Sequence, residues 1–251
     1  MGKLIAGGDS FIYGSELTDC IDKQGNEQIS QLTFPALIAK ETNLEYVCVA
    51  RPGYSNAAIK RTVMNACEQY KDISLVIVGW SFTGRYEFRI NKEWKQISPW
   101  TAVDDVKEIE RKFQFDNPIV LQHHANELVT AKRSGLNEFA KWFYTNTDYV
   151  AEIHDTLSSI IMLQQYLTLH NIPYIFTAAD RNSIDVIVDD ESVKTLQKQL
   201  GKLWGWFDDK GFYTWAQDMK FPFATTHPRE EAHLEAAHIF YEHIRNFGWI
   251  S

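Results

Sequence analysis

The stretch Leu4-Ile5-Ala6-Gly7-Gly8-Asp9-Ser10-Phe11 decides how this chain is read. Leu4 to Ala6 is a short apolar run of the kind that forms a buried strand. Gly7 and Gly8 break the run, and Asp9-Ser10 follows at once. In an open α/β sheet, ligands bind beyond the carboxyl ends of the strands. A serine at this point is placed to be a nucleophile. The plainer reading is a Gly-rich turn in which Asp9 and Ser10 cap a loop.

The same rhythm recurs along the chain. Glu45 to Ala50 is a second apolar run, followed by Arg51-Pro52-Gly53-Tyr54-Ser55-Asn56. A third, Leu75 to Val78, breaks at Gly79-Trp80-Ser81. A fourth, Ile172 to Ala178, ends at Ala179-Asp180-Arg181-Asn182, and Pro173 is tolerated at its start. Helical patterns lie between them. Thr33 to Thr42 carries Pro35 early. Ser55 can cap a helix whose apolar positions are Ile59, Val63, Ala66, Cys67 and Tyr70. Ile153, Leu157, Ile160, Ile161 and Leu167 mark another helix. Val193, Leu196, Leu200 and Leu203 predict one more, and Pro228 opens the last, with Ala236, Ala237, Phe240 and Ile244 inward. Strand and helix signals that alternate predict a parallel sheet with helices on both faces. Residues 12–31 are polar and Gly-containing and read as a loop over the site.

Residues 82–147 break that rhythm. Tyr86, Phe88 and Ile90 alternate with polar residues, Asn91-Lys92 turns, and Trp94 follows, which reads as a hairpin. Trp100, Phe113, Phe115, Trp142, Phe143 and Tyr144 are scattered through the rest. The segment is too long for a connection and is expected to be a hairpin-and-helix cap inserted in a single domain spanning 1–251. Its aromatic residues either line a cleft or form the insertion's own small core.

Four blocks, Gly8-Asp9-Ser10, Gly53, Gly79-Trp80-Ser81 and Ala224-Thr225-Thr226-His227-Pro228, together resemble the SGNH (GDSL-like) hydrolase family. The likeness covers nearly the whole chain in order and spacing. It implies a three-layer α/β/α, flavodoxin-like sandwich around a central parallel sheet. It also implies a serine ester hydrolase with Ser10 as nucleophile and His227 as base, and small acyl esters of carbohydrates, such as acetyl esters, are substrates within that family. Histidine suits the base role because its pKa lies near neutrality. The oxyanion hole implied by the likeness consists of the Ser10 and Gly53 N–H groups plus an asparagine side chain.

Two blocks depart from the family pattern. Ser81 stands where the family has the oxyanion-hole asparagine, so the Ser81 hydroxyl and Asn56 are the candidate replacements. Ala224 stands where the family has the aspartate that orients the histidine. A backbone carbonyl near Ala224 or Thr225 would leave a Ser–His dyad; Asp180 or Asp218 would restore a carboxylate. Asp9, Arg85 and Asp180 are further candidates for orienting or substrate-binding roles. In Gly84-Arg85-Tyr86-Glu87, Arg85 and Glu87 serve either an anionic substrate group or a solvated ion pair. The rival reading is a catalytically silent SGNH-like binding or structural module. A nucleotide-binding flavodoxin-like protein is disfavoured, since no phosphate-cradling Gly-rich loop precedes a helix.

Composition narrows the partners. The 251 residues carry a net charge of −8, with 45% apolar and 23% charged residues, an ordinary balance for a globular protein. That charge argues against nucleic acid, whose binders present a basic face. Cys20, Cys48 and Cys67 lack metal-type spacing and read as free thiols. Neither His123-His124 nor the series His233, His238, His243 reads as a metal site, and no cofactor or metal is expected. No apolar run approaches a membrane span, and no signal peptide is read at the start. The expectation is a cytoplasmic protein that acts on a small-molecule or carbohydrate ester.

Overall fold

The computed structural model describes residues 2–113 and 118–249. Phe115 and the Phe113 side chain, two of the aromatic positions in the insertion, lie outside what is described. The elements run β1 (Lys3–Gly7), α1 (Ser10–Tyr13), α2 (Phe34–Glu41), β2 (Glu45–Cys48), α3 (Asn56–Gln69) and β3 (Ile73–Trp80). The insertion follows with β4 (Tyr86–Ile90), β5 (Glu93–Ile97), α4 (Val106–Phe113), α5 (Pro118–Arg133) and α6 (Leu136–Asn146). The chain then closes with α7 (Tyr149–Leu169), β6 (Tyr174–Ala178), α8 (Glu191–Gln197), α9 (Phe212–Asp218) and α10 (Glu230–Asn246).

The main sheet is parallel throughout, in the order β2-β1-β3-β6. This is the flavodoxin-like arrangement, whose order turns around β1 and β3 and opens a crevice at their carboxyl ends. Both faces of the sheet are covered, so its strands are apolar on both sides. Side chains alternate across the pleat. Leu4 and Ala6 of β1, with Leu75 and Ile77 of β3, pack into one core with α2, α9 and α10. Ile5, Val76, Val78 and Trp80 face the other core, with α3 and α7.

Gly7 and Gly8 are required by close approach. A Cβ on Gly7 would lie 2.2 Å from Val63 Cγ2 of α3. One on Gly8 would lie 2.3 Å from Ile12 Cγ1 and 3.0 Å from the Gly79 carbonyl oxygen. The two glycines thus let α3 and β3 close against the end of β1, which fixes where Asp9 and Ser10 emerge.

Three local readings need correction. The helix expected over Val193 to Leu203 ends at Gln197. Leu200 and Leu203 still pack on the same core as Val193, but from the turn that follows. The spacing of their burial mimicked a continuing helix. Pro228 does not open α10: it lies in a short bridge with Phe223, and Arg229 caps the helix. Helix α9 had no separate signal.

In the insertion, β4 and β5 pair antiparallel from Tyr86↔Ile97 to Ile90↔Glu93. Asn91 and Lys92 turn with φ of 51° and 69°, the pair of positive angles a tight hairpin requires. Tyr86, Ile97 and Ala140 form a small core with Phe88, Phe139, Phe143 and Tyr144. These aromatics are therefore packing residues, while Trp142 is 62% exposed. Among the described residues no helix is long and apolar enough to cross a membrane.

Candidate active site

Ser10 is the first residue of α1, directly after the turn that ends β1. Asp9 caps this helix, its Oδ1 accepting the Phe11 N–H at 3.1 Å. The Ser10 N–H has no partner among the described residues, and neither does the N–H of Gly53. Gly53 has φ +76° in the loop after β2. That loop is tied to the turn by the Arg51 N–H, which donates to the Gly8 carbonyl at 3.3 Å. Two unspent backbone donors therefore sit on neighbouring loops at the carboxyl edge of the sheet.

His227 lies in the loop before α10, and Glu16 holds it there. The Glu16 Oε2 accepts from His227 Nδ1 at 2.8 Å, from the Thr226 N–H at 2.9 Å and from the His227 N–H at 3.0 Å. Partial burial disfavours the Glu16 charge, but the bonds from His227 and the Thr226 backbone, with the attraction of His227, outweigh it and lower the carboxyl pKa to about 2. An ionised carboxylate only accepts, so Nδ1 carries a proton, and in the neutral imidazole the lone pair is then on Nε2. The imidazole lies against the Phe11 ring, centroids 5.1 Å apart, beside Ser10 in sequence. No hydrogen bond joins Ser10 Oγ to His227 among the described residues; such contacts commonly tighten only when the reacting complex forms.

The carboxylate that faces His227 is thus neither Asp180 nor Asp218. Asp180 caps the turn after β6 by accepting the Asn182 N–H at 3.0 Å, and Asp218 pairs with Lys210 at 2.6 Å. Nor is it a backbone carbonyl at Ala224 or Thr225; the Ala224 N–H instead donates to the His227 carbonyl at 2.9 Å. Glu16 was missed because it sits in the polar 12–31 loop, far from His227 in sequence. Its φ of 67° is a local geometry the sequence does not announce.

The end of β3 also differs from the two expectations for it. Ser81 is fully buried, and its hydroxyl donates to Asp9 Oδ2 at 2.7 Å. A hydroxyl has one proton, so Ser81 is not available to an oxyanion. Asn56 is likewise buried and spent. Its Oδ1 accepts the Ser81 N–H at 2.8 Å, and its Nδ2 donates to the Ser81 carbonyl at 3.2 Å and to Thr156 Oγ1 at 3.1 Å. It locks the strand end in place. Arg85 completes the cluster, with Nη1 donating to Ser81 Oγ at 2.8 Å and to Asp9 Oδ2 at 3.3 Å. Glu87 pairs with Arg61 instead, at 2.5 Å.

Phe82, at the foot of the insertion, lies against Phe11 and Tyr213 with centroids 6.3 and 5.9 Å apart. Beyond β6, Asp180, Arg181, Asn182, Thr214 and Gln217 line an open polar cavity of about 280 Å³. On α5, His123, His124 and Glu127 bring ligand atoms within 4.8 Å of one another, which is a spacing for a metal; His124 Nδ1 and Glu127 Oε2 are already bonded at 2.9 Å.

Comparison with protein families and with curated proteins finds no match. Among solved structures, the chain is similar to an acetyl xylan esterase (Est2A) from the rumen bacterium Butyrivibrio proteoclasticus, at 13% identity and TM-score 0.48 over 99% of this chain. It spans only 65% of that enzyme's length. It is also similar to the psychrotrophic esterase EstA from Pseudoalteromonas sp., at 9% identity and TM-score 0.49 over 98% of each chain. A third likeness is to phospholipase A1 from Streptomyces albidoflavus NA297, at 12% identity and TM-score 0.43, covering 96% of this chain and 98% of that one. Identities and TM-scores this low leave the chemistry to be argued from the chain's own residues.

Proposed function

We propose that this protein is a serine ester hydrolase in which Ser10, His227 and Glu16 act together. The observation that carries the reading is the Glu16–His227 contact at 2.8 Å. A depressed carboxyl pKa and a fixed Nδ1–H leave the imidazole in the tautomer that a general base needs. It stands at the carboxyl edge of the sheet, against the residue that follows the half-buried serine after the Gly-Gly turn.

The reaction follows from those groups. Ser10 Oγ attacks the ester carbonyl carbon as its proton passes to His227 Nε2. The carbonyl π electrons move onto oxygen, and the Ser10 and Gly53 N–H groups donate to that oxyanion. Collapse expels the alcohol oxygen, which takes the proton from Nε2, and leaves an acyl-serine. Water then repeats the sequence: Nε2 takes its proton, the acid is released and Ser10 recovers its hydrogen. Glu16 stabilises the imidazolium in both halves without being protonated. The substrate class we assign is a small acyl ester of a polyol or carbohydrate. Supporting it, the polar cavity beyond β6 is lined by Gln217, whose Nε2 donates to the Tyr213 hydroxyl at 2.9 Å; the Tyr213 ring lies 5.5 Å from that of Phe11, and the cavity offers amide, hydroxyl and charged groups to a hydroxyl-rich alcohol.

Steady-state hydrolysis of p-nitrophenyl acetate by wild type, Ser10→Ala and His227→Ala tests the reading. Turnover in wild type that both substitutions remove supports it. Equal activity in wild type and Ser10→Ala overturns it and leaves the silent binding module in its place.

A further inference from the structure

We infer that the Arg85 guanidinium is the side-chain donor to the oxyanion formed at Ser10. It takes the role for which the sequence offered Ser81 and Asn56. The inference rests on the hydrolase reading above.

Four polar side chains meet where β3 ends beside the Ser10 turn: Asp9, Asn56, Ser81 and Arg85. Asp9, as a carboxylate, has no proton to give. The Ser81 proton goes to Asp9, and both Asn56 amide protons go to Ser81 and Thr156. Arg85 differs. A guanidinium has five N–H donors in a fixed fork. Two of them, on Nη1, are spent on Ser81 and Asp9. Nε and Nη2 have no hydrogen-bond partner among the described residues, although the side chain is only 14% exposed. The Phe82 and Trp100 rings, with centres 5.7 and 5.4 Å from Cζ, lie against the guanidinium. The cluster thus fixes one nitrogen of Arg85 and leaves the other two to be used.

Charge decides between the two uses open to such a group. An anionic substrate would also face the Asp9 carboxylate, 3.3 Å from the same guanidinium. The pair sums to no net charge, so a permanent anion gains little. An oxyanion forms only in the reaction and needs an aligned N–H at hydrogen-bond distance. Arg85 also offsets the Asp9 charge, which by itself would oppose negative charge growing at the adjacent Ser10. Arg85 loses no proton in the step; it donates a hydrogen bond that strengthens as the carbonyl becomes an alkoxide.

The test is steady-state hydrolysis of p-nitrophenyl acetate by Arg85→Met, Arg85→Lys and the double variant Asp9→Asn/Arg85→Met. Removing one oxyanion donor is expected to lower kcat by about 10²–10³-fold in Arg85→Met. KM should change by less than about threefold, because the contact is made only in the transition state. Lysine, which keeps a donor but not the fork, should recover part of the rate. The double variant has no uncompensated carboxylate, and asparagine still caps α1. It should therefore fold even where the single variant does not, and stay as slow as Arg85→Met. Wild-type-like kcat in Arg85→Met, or recovery in the double variant, overturns the inference; recovery would reduce Arg85 to a counter-ion of Asp9. If wild type is active and Ser10-dependent while the Arg85 variants match it, only this inference fails. If wild type and Ser10→Ala are equally active, the hydrolase reading fails with it.

Discussion

The two sides of the candidate site depart from the resembled family pattern at different residues, and each departure is filled in its own way. On the histidine side, Ala224 supplies no carboxylate, and Glu16 provides one from the loop after α1, bonded to His227 Nδ1 at 2.8 Å. On the strand side, Ser81 supplies no amide. A buried cluster of Asp9, Asn56 and Arg85 forms around it, with Ser81 donating to Asp9 at 2.7 Å. The first replacement restores one contact with one residue. The second uses a position that is catalytic in the resembled family for packing, and on the proposal above leaves the oxyanion donor to Arg85. On the proposed reading, an orienting carboxylate can come from any loop able to reach a histidine nitrogen, whereas an oxyanion donor has to stay beside the serine.

The largest expected effect tests what both sides serve. Ser10→Ala should lower kcat on a small aryl acetate by on the order of 10⁴-fold or more, and His227→Ala by nearly as much, since they act as one unit. Next is Glu16→Gln, which keeps the shape but loses the charge that holds the tautomer. Its expected cost is about 10²–10⁴-fold in kcat, measured with the same substrate. Unchanged activity would remove Glu16 from the account and return the site to a dyad.

On the strand side, Asn56→Ala leaves the buried Ser81 N–H and carbonyl without their partners. It should destabilise the fold by about 1–3 kcal/mol in urea unfolding. If Asn56→Ala proves neutral, the strand end is not held as described. The smallest effect separates the two sides again. Ala224→Asp would add a second negative charge near Glu16 and should cost only a few-fold in kcat. In the Glu16→Gln background the same change should restore activity. Gain in wild type would mean that Glu16 does not fill the position.

Acid dependence gives an independent reading. Burial, with the nearby charge of His227, lowers the His233 pKa from 6.5 to about 3. Between those values the unfolded chain binds the proton and the folded one does not. Stability from this group is therefore complete above pH 6.5 and is lost as pH falls towards 3. The Glu16 contribution is lost only lower, from 4.5 down to about 2. Unfolding at pH 7 and at about pH 5 should show a loss in wild type that His233→Gln reduces and Glu16→Gln does not.

Much of the fold was legible because its strands are buried on both faces, and such runs stand out in any sequence. The Gly-Gly turn and the hairpin at Asn91-Lys92 were legible because close approach and positive φ narrow the choice of residue. Ser10 and His227 were singled out by the resemblance of their blocks to the SGNH pattern. Glu16 was not legible, since a loop glutamate carries no local pattern and its partner lies at the other end of the chain. The gap at Ala224 was the one sign that a carboxylate had to come from elsewhere. Ser81 and Asn56 were misassigned because residue type says which groups can donate a proton but not where the proton already goes. Leu200 and Leu203 misled for a similar reason: burial at helical spacing does not need a helix.

Labelling with a fluorophosphonate, read by intact mass and peptide mapping, tests the central claim most directly. The account predicts a single covalent adduct on Ser10, absent in Ser10→Ala and formed far more slowly in His227→Ala and Glu16→Gln. A folded protein that takes up no phosphonate, or takes it up at another residue, would contradict it.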